Sequence, residues 1–183
     1  MSRITPLDPS AAAEPARTLL AGVQATLGVT PNMMKTMAAS PAVLKGYLGL
    51  NDALGTGVLE HAFREQIALT VGQTNACGYC LAAHHVLGAM AGLTAEEMAR
   101  SRDARSRNPR REAGLQFAHA VVVDRGQVSD AALAKVRAAG FDDAEIVEIV
   151  ANVALNIFTN YVNHVAQTTI DFPRVDLASA ASA

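Results

Sequence analysis

Apolar positions along this chain recur at the three-to-four-residue spacing of helices, and no segment alternates convincingly at period two. Leu19, Leu20, Val23 and Leu27 mark a helix over 14–27, and Pro31 suits the first turn of a short one through Met33, Met34 and Met37. Ser40-Pro41 is a second start signal, for a helix carrying Leu44, Tyr47, Leu48 and Leu54 and broken by Gly55 and Gly57. Phe63, Ile67 and Val71 form one stripe of a helix over 60–74. The next helix begins near Cys77, with Thr74 and Asn75 as capping candidates, and runs through Leu81, His84, His85, Leu87 and Met90 to Gly92. Thr94 with Glu97 reads as a capping box, and Asn108-Pro109 and Ser129-Asp130 start two further helices. Asp142 with Glu145 opens the last and longest helix, to about residue 168. Val121-Val122-Val123, the nearest thing to a strand, lies inside a helical pattern. The expected fold is therefore all-α. One helical domain spans 14–172, between an irregular arm over 1–13 and a loose tail over 173–183.

Composition sharpens this picture. Half of the 183 residues are hydrophobic, yet only 4% are aromatic and none is Trp, so the core is built from small aliphatic side chains and Met. That suits closely packed helices. A mean hydropathy of +0.18 points to further apolar surface buried between subunits. The net charge of −2 offers no basic footprint for nucleic acid or an anionic membrane. Arginines between Arg100 and Arg111 are interrupted by Asp103 and followed by Glu112, which reads as a solvated turn. Two uncharged stretches, 66–95 and 149–170, contain Gln, Asn, Thr and His that lipid would leave unpaired, so neither reads as a spanning helix. The first residues lack the apolar core of a signal peptide. The expected compartment is the reducing cytoplasm, where two cysteines make a poor structural staple.

Those cysteines carry the candidate chemistry. Cys77 falls in or near the first turn of its helix, where free backbone N–H groups and the positive end of the helix dipole favour a thiolate. Cys80 lies three residues on, close enough for a disulfide. His84 stands one turn above Cys80 on the same face, a base beside a thiol. Glu65 belongs to the preceding helix, inside an apolar run, and can turn back toward the cysteines if the two helices form a hairpin. Redox chemistry, a metal site and inert packing all remain open on these residues. A zinc site would use Cys77, Cys80 and His84, with Glu65, His61 or His85 as fourth ligand. Haem attachment would require His where Leu81 stands.

The last helix carries a second pattern. Asn152, Asn156, Thr159, Asn160, Asn163 and Gln167 share an arc of about 100°, with His164 at its edge and no charge among them. An ordinary solvent face mixes in Lys and Glu. The stripe reads as amides buried at a subunit interface or along the approach to the active site.

Glu65, eleven residues, then Cys77-x-x-Cys80-x-x-x-His84 resembles the active-site motif of the alkylhydroperoxidase D family, within the carboxymuconolactone decarboxylase superfamily. The run from Asn156 to His164 followed by Asp171-Phe172-Pro173 is similar to its single-domain, peroxidase-related members. The resemblance implies an AhpD-like all-α bundle of helical hairpins assembling as a trimer or trimer-based hexamer. It implies a hydroperoxide substrate, an external thiol or lipoyl-type reductant, and no cofactor. By the same resemblance Cys80 attacks peroxide, Cys77 resolves the product to a disulfide, and Glu65 and His84 relay the proton. The best-understood members have His immediately before the second cysteine, where this chain has Tyr79. The superfamily's decarboxylase branch does not rely on the cysteine pair. That lactone chemistry and a non-catalytic zinc module are the alternatives.

Overall fold

The computed structural model describes residues 2–177, which contain nine α-helices and no strand. In chain order they are α1 (Ala16–Leu27), α2 (Asn32–Met37), α3 (Pro41–Gly55), α4 (His61–Thr74), α5 (Gly78–Met90), α6 (Ala95–Arg102), α7 (Pro109–Val123), α8 (Asp130–Ala138) and α9 (Asp143–Ala166). The all-α expectation holds. Both capping boxes form: Thr94 and Glu97 exchange hydrogen bonds at the start of α6, as Asp142 and Glu145 do at α9. Asn108 and Ser129 cap α7 and α8 through their side-chain oxygens. α9 stops at Ala166, two residues before the expected 168, because Gln167 takes the left-handed conformation (φ 48°) that ends it.

α4 is the axis of the molecule. Every residue from Glu65 to Gly72 is buried, because α5, α6, α7 and α9 all pack against it. A helix enclosed on all sides must satisfy its own polar groups. Gln66 Nε2 donates to Ser101 Oγ at 3.1 Å, and the Thr70 hydroxyl donates to the Ser101 carbonyl at 2.6 Å. One apolar cluster joins α4 to α7, α8 and the first half of α9 through Phe63, Ile67, Leu115, Val136, Phe141 and Ile149. A second joins α1, α2 and α3 to the cysteine region through Leu20, Met33, Met37, Leu44, Tyr79 and Cys80.

Three local expectations are refined. The N-terminal arm holds no helix, but it is tied down: Arg3 N–H donates to Ala166 O at 2.6 Å and Leu7 N–H to Lys35 O at 3.0 Å. The C-terminal stretch 173–177 is likewise non-helical, and the rest of the expected tail, 178–183, lies outside the described residues. The arginine-rich region is not a solvated turn throughout. Arg100 and Arg107 share Glu96 within and just after α6, whereas Arg110 ties α7 to Glu145 of α9 and Arg111 ties it to Glu60 at the start of α4. Among the described residues no helix is long and apolar enough to cross a membrane.

Candidate functional site

Residues 75–77 join α4 to α5 and fold them into a hairpin. Ala76 adopts a left-handed conformation (φ 53°), which costs an L-residue about 1–2 kcal/mol. The turn's hydrogen bonds offset this: Ala76 N–H donates to Gln73 O at 3.0 Å and Cys77 N–H to Gly72 O at 2.8 Å. The chain then enters α5 with Cys77 itself as N-cap, its sulfur accepting the Cys80 N–H at 3.3 Å. The sequence assigned that capping to Thr74 or Asn75. The turn intervenes, so Asn75 ends α4 instead and donates through Nδ2 to Asn160 Oδ1 on α9 at 2.9 Å.

Cys77 and Cys80 are joined in a disulfide, with Cα atoms 5.3 Å apart. Both are enclosed, at 1% and 3% exposure. α5 packs closely on α4 here: a Cβ at Gly72 would make ordinary van der Waals contact with Leu81 Cδ2 at 3.4 Å and Cys80 Cβ at 3.7 Å.

Glu65, buried on α4, meets His84 across the hairpin with Oε2 2.8 Å from Nδ1. A carboxylate on Nδ1 fixes the tautomer that carries its hydrogen there and leaves Nε2 as the basic nitrogen. The other oxygen of Glu65 lies 3.6 Å from Nε2 of exposed His61. Tyr47 of α3 is half-buried nearby, packed against the apolar cluster that holds the cysteines. Burial first, and then the charge of Glu65, pushes its phenol up to about 12, so it stays a neutral hydroxyl. The helical repeat alone gave no reason to place Tyr47 beside the site.

Tyr79, the residue that departs from the family motif, is a buried structural donor. Its hydroxyl accepts the Met33 N–H at 3.1 Å and donates to Asp171 Oδ1 at 2.8 Å. Burial, chiefly, and the Asp171 carboxylate raise this phenol well above its ordinary range, so it does not act as a base at neutral pH. Asp171 Oδ2 also accepts the Asn32 N–H at 2.7 Å, and Phe172 sets its ring edge-on to Tyr79. Residues 169–172 thereby form a strap across α2 and α5.

The amide stripe of α9 faces inward. Asn152, Asn156, Thr159, Asn160 and Asn163 are all buried, whereas His164 and Gln167 are exposed. Asn163 reaches the site itself, with Nδ2 3.4 Å from Cys80 Sγ and 3.3 Å from Met33 Sδ. The stripe was visible in the sequence, but which of its amides meets sulfur was not.

The α4–α5 hairpin therefore carries two pairs, the Cys77–Cys80 disulfide and the Glu65–His84 hydrogen bond. His85 is not among them; it lines a separate cleft with Val86, Met90, Pro173 and Val175. Burial, and then Arg102, lower the pKa of its imidazole. Among the described residues no three His, Cys, Asp or Glu side chains converge as a metal-ligand set.

The family model of the carboxymuconolactone decarboxylase family matches residues 41–120, from α3 into α7. A search of the curated proteins finds no significant match. Among solved structures, the chain superposes on the alkylhydroperoxidase AhpD core of an uncharacterized peroxidase-related protein from Ralstonia eutropha, with a TM-score of 0.82 and 26% identity over 93% of this chain and 92% of that one. A peroxidase-related protein from Silicibacter sp. gives 0.77 at 23% identity, over 91% and 92%. The debrominase Bmp8 gives 0.80 at 19% identity, over 93% and 92%. Residues 41–120 thus match the carboxymuconolactone decarboxylase family model, in a chain whose fold is that of the AhpD-like, peroxidase-related structures it superposes on.

Proposed function

We propose that the chain is a dithiol peroxidase, reducing hydroperoxides through Cys80 and Cys77 with Glu65 and His84 as proton relay. The observation that carries this reading is the 2.8 Å pairing of Glu65 with His84, one helical turn from Cys80. In the reduced protein His84 Nε2 takes the Cys80 proton. The Cys80 thiolate attacks the distal peroxide oxygen, an S–O bond forms and the O–O bond breaks. The departing alkoxide takes the proton held by His84 and leaves as alcohol. Cys77 sulfur then attacks the Cys80 sulfenic acid, forming the disulfide and expelling hydroxide, which leaves as water with the Cys77 proton. Two electrons from an external thiol or lipoyl-type dithiol restore the pair. The reading takes 14–172 as one catalytic domain working in the cytoplasm.

Mass spectrometry after one equivalent of hydroperoxide tests it. The reduced protein should lose two hydrogen atoms, gain no oxygen, and yield one peptide linking Cys77 to Cys80 within a single chain. Two thiols surviving one equivalent, with the peroxide unconsumed, would sink the reading.

The chain also works as a homo-oligomer in this proposal. On α9 the amides point inward while Val147, Val150, Ala154, Phe158, Tyr161 and Val165 point outward, an uncharged face with Val147 66% and Val165 63% exposed. That inversion suits a helix whose outer face is covered by a second copy of the chain, along roughly 27 Å at 1.5 Å per residue. Sedimentation should give a multiple of the 19.1 kDa chain, and Phe158→Glu should shift it toward the monomer. A wild-type monomer at micromolar concentration would overturn this part alone.

A further inference from the structure

The Asn163 amide is hard to explain as packing. It is 4% exposed, its oxygen Oδ1 has no hydrogen-bond partner, and its nitrogen is directed at two sulfurs, Cys80 Sγ and Met33 Sδ. A leucine, branched at the same carbon with the same number of side-chain heavy atoms, would occupy the position without a stranded carbonyl. The opposite orientation of the amide would turn that carbonyl on sulfurs that offer it no hydrogen. In the disulfide the sulfur is a weak acceptor. In the reduced protein the same N–H meets a thiolate, and a hydrogen bond to an ionised acceptor is roughly twice as strong as one between neutral groups.

We propose that Asn163 is a catalytic residue that holds Cys80 as its thiolate, by donating its side-chain N–H to the sulfur that attacks. This rests on the reading of Cys80 as the attacking thiol. It assigns to α9 a part in the chemistry that the α4–α5 motif does not contain.

The other groups around Cys80 do not duplicate that part. Glu65 from α4 is engaged with His84 and lies near His61. Tyr47 from α3 and Tyr79 from α5 are held as neutral phenols. Asp171 from the C-terminal strap is occupied by Tyr79 and Asn32. Cys77 takes the Cys80 backbone N–H. Of the side chains facing this sulfur, Asn163 contributes an N–H and no charge.

The test measures the pH midpoint of Cys80 alkylation by iodoacetamide, in a reduced Cys77→Ser background where Cys80 is the only thiol. Asn163→Leu should move the midpoint up by about one pH unit, which is roughly tenfold slower alkylation at a fixed pH below it. Asn163→Asp, close in shape, should move it at least as far, because a carboxylate replaces the donor. Asn156→Leu, a stripe position whose side chain donates to the Asn152 carbonyl and not to sulfur, should leave it in place. A wild-type midpoint in either folded Asn163 variant overturns the inference, as does an equal shift in Asn156→Leu. Should Asn163→Leu fail to fold, Asn163→Asp decides. No peroxide enters this assay, so failure of the peroxidase reading and failure of this inference are separate results.

Discussion

Replacing Cys80 with serine is expected to reduce peroxide consumption to the background rate of an unactivated thiol, while Cys77→Ser still consumes one equivalent and leaves a trappable sulfenic acid on Cys80. The two sulfurs compete on different grounds. Cys77 caps α5 and holds the Cys80 N–H at 3.3 Å, so the helix terminus favours its thiolate. Such a terminus contributes about 0.3–1 kcal/mol at exposed sites and up to ~2 kcal/mol in partly buried ones. Cys80 has His84 one turn above it, oriented by Glu65. A positioned acid–base group contributes ~10² or more in rate, near 3 kcal/mol. Proton transfer outweighs the helix terminus, so Cys80 attacks. Stopped-flow peroxide consumption with dimedone trapping of each variant reads the outcome directly. A fast step retained in Cys80→Ser, with sulfenic acid on Cys77, would reverse the assignment.

The second large effect is on stability. Gly114→Ala in α7 is expected to cost about 2 kcal/mol, within the 1–3 kcal/mol of overpacked core sites. A Cβ at Gly114 would stand 2.6 Å from Phe63 Cζ and 2.7 Å from Phe141 Cζ. Those rings pack against each other at 5.7 Å between centroids, and the Arg110 guanidinium covers Phe141 at 4.0 Å. Neither ring has room to retreat, so the clash outweighs the ~1 kcal/mol that alanine gains over glycine in a helix. For a chain of this length the melting point should fall by roughly 4–8 °C. Gly46→Ala is the control: its Cβ would meet nothing within 4 Å on α3, so the same propensity gain should stabilise by up to ~1 kcal/mol. Urea unfolding of the two variants should give opposite signs. A neutral Gly114→Ala would mean the aromatic pair yields.

Helix boundaries were legible because capping is a local code. Thr94 with Glu97 and Asp142 with Glu145 each act within four residues, and both boxes form. The pairing of Glu65 with His84 and of Cys77 with Cys80 was legible because a short hairpin leaves little freedom in how its helices meet. The contacts that complete the site join distant parts of the chain. Tyr79 binds Asp171 across 92 positions and Cys80 meets Asn163 across 83. Nothing in a local pattern selects those partners. α9 shows both sides: the lack of charge in its amide stripe marked that face as buried, and Asn152, Asn156, Thr159, Asn160 and Asn163 are buried, but periodicity did not say that Asn163 would meet Cys80.

The strap over the cysteine pair has a consequence for the order in which the protein is made. α4 and α5 emerge from the ribosome with the thiols on them, and their hairpin needs only neighbouring residues to form. Asn163, which lies against Cys80, and Asp171, which holds Tyr79, are translated 83 and 92 positions after the residues they meet. Over that interval the nascent chain carries the two cysteines without their cover. Domains that fold as they emerge gain their final packing only when the closing element arrives. The pair is therefore most open to glutathione, metals and oxidants in the interval before α9 and the strap dock, and a chain that stalls short of Asp171 would present its two cysteines uncovered.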